Sequence, residues 1–187
     1  MLDWLILCFA IFSLSTTDTK YQLNMDDIRT ACYNTNLIID SSNKHNVDKF
    51  ILAAIVWNES RWNPEVVSSA GACGLTQVLR GTFKLKCREL FEPSLSIDTG
   101  ARILRIFKDE YNTKYMKYKS SYDEDTYSIA CYAVGINCLE SKYALNHSRR
   151  ILKLARKYEV EYEKFNYFIF DNHLLNGQLH RDLWILQ

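Results

Sequence analysis

Two prolines and six glycines in 187 residues leave this chain few places to interrupt a helix. Gly and Pro are the strongest local punctuators, and a sheet-rich fold of this size needs a turn every few residues. No segment alternates apolar and polar residues convincingly, apart from FNYFIF at 165–170, which is ambiguous. The expectation is therefore a mainly α protein. Its length suits one domain with a real core. Hydrophobic residues at 48% and charged residues at 24% exclude wholesale disorder. A net charge of +1 provides no overall field toward nucleic acid, so no nucleic-acid partner is expected.

Helices are expected over about Asp26–Tyr33, Val47–Asn58, from Ser96 or Asp98 through Tyr111, over Asp125–Val134 and over Asn146–Tyr162. The polar run SSNKHN (41–46) is expected to be a loop. SSAGACGLTQVLR (68–80) is small and glycine-bearing, and predicts a compact loop leading into a short helix.

The apolar run from Trp4 to Leu14 is too short to span a bilayer unaided, but it fits the apolar region of a secretory signal. The first residues, Met-Leu-Asp, lack the usual Lys or Arg. Residues 1–20 are accordingly expected to be a signal or membrane-tethering segment, with a buried helix as the other reading. The protein would then be exported, with any membrane contact through this segment alone. Losing the segment removes Cys8 and leaves five cysteines, which permits at most two disulfides, with one thiol free or paired between molecules. No C-x-x-C occurs, and the spacings match no zinc pattern, so no metal is expected.

Glu59 is out of place. It continues the row Ile51, Ile55 on the apolar face of its helix, at the C-terminal end. Burial and the negative end of the helix dipole both oppose a charged carboxylate there. A carboxyl kept protonated near neutral pH is what a general acid needs. Pairing with Arg61 or Arg80 is the structural alternative.

The residues that follow decide how Glu59 is weighed. Glu59-Ser60 is succeeded by Trp62-Asn63-Pro64, Ser68 or Ser69, and Ala70-Gly71-Ala72-Cys73-Gly74-Leu75-Thr76-Gln77. A second block is Ser96-Ile97-Asp98-Thr99-Gly100, with an aliphatic helix after it. A third is Cys131-Tyr132-Ala133-Val134-Gly135. In order and spacing these resemble the three signature blocks of the soluble lytic transglycosylases, in the lysozyme-like superfamily. NVDKFILAAIVWNES resembles that family's entry helix, and the resemblance covers roughly Cys32 to Leu154. Thr76 and Cys73 stand where the family usually has Met, and Ala133 replaces the Asn of the third block. Asp98 is better taken as a first-turn acid or cap than as a second catalytic carboxylate.

The resemblance implies a lysozyme-like helical domain with a cleft over 21–163. It also implies cleavage of the β-1,4 bond between N-acetylmuramic acid and N-acetylglucosamine in peptidoglycan. Glu59 would act alone as acid and then base, giving a 1,6-anhydromuramoyl end, with no cofactor needed. By the same resemblance Ser60 would bond beside the acid. Gln77 and the backbone of Gly74 and Leu75 would line the cleft, and the Tyr132 hydroxyl would orient Glu59. A goose-type hydrolytic lysozyme and a catalytically weakened murein-binding module are the alternatives. Location in the periplasm or cell envelope is implied, serving a secretion or conjugation apparatus, or else association with a phage particle. Two moderately basic stretches, 101–120 and 145–164, are expected to be solvated helix faces. The aromatic tail, 164–187, has no counterpart in the resemblance, and core packing is its default.

Overall fold

The computed structural model describes residues 2–115 and 121–176. Its axis is the helix that carries Glu59, Lys49–Ser60. Every residue from Phe50 to Trp57 is buried, so this helix is apolar on all sides and has to be enclosed. Asp48 starts it by accepting from the Phe50 and Ile51 N–H groups at 2.7 and 2.8 Å, an N-cap arrangement. Arg61 ends it with left-handed backbone (φ 53°), while its N–H still bonds the Trp57 carbonyl.

Numbered in chain order, the helices are α1 (Asp3–Thr17), α2 (Met25–Tyr33), α3 (Thr35–His45), α4 (Lys49–Ser60), α5 (Cys87–Leu90), α6 (Pro93–Glu110), α7 (Glu124–Val134) and α8 (Lys142–Asn176). Helices α3, α6 and α8 enclose α4, α1 lies along α8, and α7 sits between α6 and α8. The mainly α expectation holds.

Local expectations failed where tertiary contacts outweigh propensity. The run 41–46 is not a loop, since α3 continues to His45. Ser41 and Ser42 are buried on its inner side. Asn46, with φ 51°, closes the helix as Val47 N–H bonds the Ser42 carbonyl at 3.0 Å. Lys44 and His45 then reach Asp98 at 2.7 and 2.9 Å. Asp98 is not a first-turn acid, because α6 begins earlier, at Pro93. Instead it ties α3 to α6. Burial pushes its carboxyl up, but the Lys44 and His45 bonds outweigh that and hold it below the ordinary value.

The loop at 68–80 does lead to short helices, a 3-10 turn at Thr82–Lys84 and then α5, but it is itself regular. It folds as a hairpin of β1 (Ala72–Cys73) and β2 (Val78–Leu79), antiparallel, with Ala72 opposite Leu79 and Cys73 opposite Val78. Left-handed backbone at Gly74 (φ 78°) and Gln77 (φ 48°) makes the corner. The ambiguous FNYFIF belongs to α8, where Phe165 stacks on Phe9 at 5.1 Å. The LWIL segment, 183–186, lies outside the described residues.

The N-terminal segment is a packed element of this fold. Ile6, Leu7, Ala10, Ile11 and Leu14 of α1 are buried. Asp3 bonds Lys49 and Tyr162, and Asp18 bonds Lys157. All six cysteines pair, as Cys8–Cys32, Cys73–Cys87 and Cys131–Cys138. The count of two bridges and a spare thiol fails because Cys8 is the partner of Cys32. Among the described residues no helix is long and apolar enough to cross a membrane. Deleting residues 1–20 removes five buried apolar side chains, of which the four larger are worth about 1.5–3 kcal/mol each. It also removes a bridge closing a loop of separation 24. The truncated chain is expected to melt more than about 10 °C below the full one. Melting within a few degrees would make α1 dispensable, as a cleaved leader is.

Candidate active site

Three segments far apart in the sequence meet at Thr76, which is wholly buried. Its hydroxyl donates to the Ser96 carbonyl on α6 at 2.7 Å, and its N–H donates to Ser96 Oγ at 3.2 Å. One turn along α6, Gly100 leaves room for it, since a Cβ there would stand 2.7 Å from Thr76 Cγ2. From α7, the Tyr132 hydroxyl donates to the Thr76 carbonyl at 2.6 Å. The three sequence blocks are therefore one joined wall.

That wall bounds a cleft of about 660 Å³, and Glu59, Gln77, Phe107, Tyr132, Ala133 and Tyr143 are among the residues lining it. Glu59 enters at the end of α4, and its side chain is 20% exposed. Among the described lining residues it is the sole carboxylate. Neither expected arginine partner holds it. Arg61 lies over the Trp57 ring, 3.8 Å from its centroid, and Arg80 packs beside Gly71. Its contacts are Asn58, whose Nδ2 donates to Oε1 at 3.2 Å, and His147 on α8, whose Nε2 is 3.2 Å from the same oxygen. The imidazole is close enough for an ion pair but lies outside hydrogen-bond alignment, and both its nitrogens lack a bonded partner among the described residues. The contact is thus one of proximity and not a formed hydrogen bond.

The other expected site residues separate into two groups. Gln77 and Tyr132 line the cleft. Gln77 Nε2 donates to the Val66 and Gly74 carbonyls at 2.9 and 3.0 Å, bracing the hairpin corner. Part of the Tyr132 ring faces the cleft while its phenol oxygen is enclosed. Burial, and then the neighbouring Glu59 charge, push that phenol far above its usual range against the opposing Thr76 bond, so it stays a donor. Ser60, Gly74 and Leu75 do not line the cleft. The Ser60 hydroxyl bonds back to the Val56 carbonyl at 3.0 Å, and Leu75 is fully buried in the core. Gly74 packs against Leu90. Among the described residues no cluster of His, Cys, Asp and Glu is suited to a metal ion.

The model of the transglycosylase SLT domain matches residues 36–154, more than half of the chain. The chain belongs to the SLT family. Membrane-bound lytic murein transglycosylase C of Mannheimia succiniciproducens is 37% identical over 87 residues, covering 40% of this chain and 24% of that protein. The namesake from Yersinia enterocolitica is 34% identical over the same length and shares. This SLT chain thus spans about a quarter of the length of the curated relatives it matches. Lytic transglycosylase Slt of Pseudomonas aeruginosa, solved as an inactive mutant, superposes with a TM-score of 0.57 at 19% identity, covering 83% of this chain and 28% of that one. The 70 kDa soluble lytic transglycosylase of Escherichia coli gives 0.52 at 19%, covering 70% and 24%. These likenesses establish the lysozyme-like helical fold.

The sequence reading missed His147 beside the SLT domain's Glu59. The signal was available: His147 interrupts the buried row that continues through Ile151, Leu154 and Tyr158 of α8, just as Glu59 interrupts that of α4. Two titratable groups misplaced on the apolar faces of two packed helices face each other.

Proposed function

We propose that this SLT domain is a peptidoglycan lytic transglycosylase in which Glu59 performs both proton transfers. The observation that carries this reading is the lone carboxyl among the described lining residues, in a cleft whose walls are the family's three blocks. Glycosidases of the usual kind flank the bond with two carboxylates. With one, the nucleophile in this reading is the substrate's own hydroxyl, where a hydrolytic enzyme would deliver water. Glu59 gives its proton to the glycosidic oxygen as the bond from muramoyl C1 breaks. The glucosaminyl hydroxyl leaves, and the positive charge on C1 is shared with the substrate's own acetamido group. The muramoyl 6-hydroxyl then closes on C1 and returns its proton to Glu59. Atoms balance without water, and the acid is regenerated.

Tyr132 and Gln77 shape the wall beside the acid. The Tyr132 phenol lies within the influence of the Glu59 charge while bonded to Thr76, and Gln77 presents a fixed amide corner. Ala133 cannot supply the amide that the family's Asn carries, so the cleft is apolar at that point. Three disulfides fit an oxidising compartment such as the cell envelope. The names of the murein transglycosylase relatives favour the same location and substrate.

The test is product analysis. Purified peptidoglycan digested by the full chain should yield muropeptides one water lighter than lysozyme products, by mass spectrometry. Reducing ends would assign the chain to the goose-type hydrolytic class, and undigested murein that still sediments with the protein would assign it to murein binding.

A further inference from the structure

The Glu59 carboxyl is held from one side only. Asn58 Nδ2 donates to Oε1, His147 Nε2 approaches the same oxygen at 3.2 Å, and no described residue bonds Oε2. His147 is 3% exposed. A buried imidazole without bonded partners is destabilising, and an apolar side chain of similar volume there would avoid that cost. The fold nonetheless keeps a histidine at this point of α8, in the second turn, one turn beyond the cleft residue Tyr143. The rings of Tyr143 and His147 lie 6.1 Å apart, so one face of α8 reaches from the open cleft to the acid.

We propose that His147 is the positioning residue of Glu59. In the tautomer with the proton on Nε2, the imidazole donates to Oε1 and fixes it together with Asn58. Oε2 is then the oxygen that carries the transferred proton and faces the glycosidic bond. Hydrogen bonds of this kind are often long or misaligned before the substrate is bound and tighten around it, which accounts for the proximity without alignment. The inference rests on Glu59 being the acid.

The experiment compares the full chain with His147→Leu, His147→Gln, His147→Asn and Glu59→Gln, measuring kcat and KM on purified soluble glycan strands and thermal melting. Gln carries its amide nitrogen near the Nε2 position, whereas Asn is too short and Leu has no donor. The expected result is a kcat about 10- to 100-fold lower for His147→Leu, with KM within about 3-fold. Its melting temperature should be unchanged or higher, because the unbonded polar group is gone. His147→Gln should recover to within about 5-fold of the parent. Should the Leu variant not fold, the contrast between Gln and Asn carries the same distinction. Parental kcat in the Leu or Asn variant, or equal losses in Gln and Asn, would overturn the positioning role. Full activity of Glu59→Gln would instead overturn the reading of Glu59 itself, so the two failures are distinguishable.

Discussion

Glu59→Gln is expected to reduce murein turnover by at least about 10³-fold, at the upper part of the range for loss of a general acid. The amide copies the shape of the carboxyl and can still accept from Asn58, but it has no proton to give to the leaving oxygen. It is also a poor acceptor for the proton of the 6-hydroxyl, so both halves of the reaction fail on one substitution. Stability should hardly move. Glu59 stands at the rim of the core, and its contacts are the neighbouring Asn58 and the unaligned His147. A melting temperature within a few degrees of the parent, with lysis gone, is the expected pair of results. Lysis at the parental rate by the Gln variant would falsify the single-acid mechanism. A general loss of fold would be seen in the melt and not mistaken for chemistry.

The sequence made Glu59 legible because a charged residue broke the apolar row Ile51, Ile55 at a spacing of four, a pattern that needs no tertiary knowledge. His147 broke such a row too, but its meaning depended on which helix lies against α8, and that is a tertiary fact. The hairpin was hidden for a related reason: two strands of two residues each carry no period, and left-handed backbone at Gln77 is unusual for a non-glycine residue. The helix over 41–45 was hidden because its polar residues look solvated until Asp98 is placed opposite Lys44 and His45. The arithmetic of the cysteines failed on one premise, that the N-terminal run leaves the fold.

The glycines are the sharpest case. Gly71, Gly74, Gly100 and Gly135 all fall in the motif blocks, and from sequence either a tight turn or a close approach of backbone to sugar is the natural reading. Only Gly135 lines the cleft. Gly100 admits Thr76, and Gly74 admits Leu90. These two signature glycines therefore serve the wall from behind. The motif preserves the packing that holds the cleft's residues together as much as it preserves the residues that face substrate.

Gly74→Ala is accordingly expected to be the most damaging substitution to folding, although no reacting group changes. A Cβ at Gly74 would stand 2.0 Å from the Leu90 carbonyl oxygen and 2.7 Å from Ser96 Oγ. The first obstacle is backbone and cannot rotate away. Leu90 is fully buried and lies just beyond Cys87, which is bonded to Cys73, so the obstacle cannot retreat without moving the disulfide. Left-handed backbone at φ 78° adds a further cost of about 1 kcal/mol for any residue with a Cβ. Gly81→Ala separates the two effects. Its φ is 91°, but a Cβ there meets nothing within 4 Å, so it bears the backbone cost alone. The expected outcome is a Gly81→Ala protein that melts within about 8 °C of the parent. The Gly74→Ala chain should be either insoluble or at least about 3 kcal/mol less stable by urea titration. Equal stability of the two variants would mean that the hairpin can shift away from α5, and that the Thr76 wall is not held from behind by this contact.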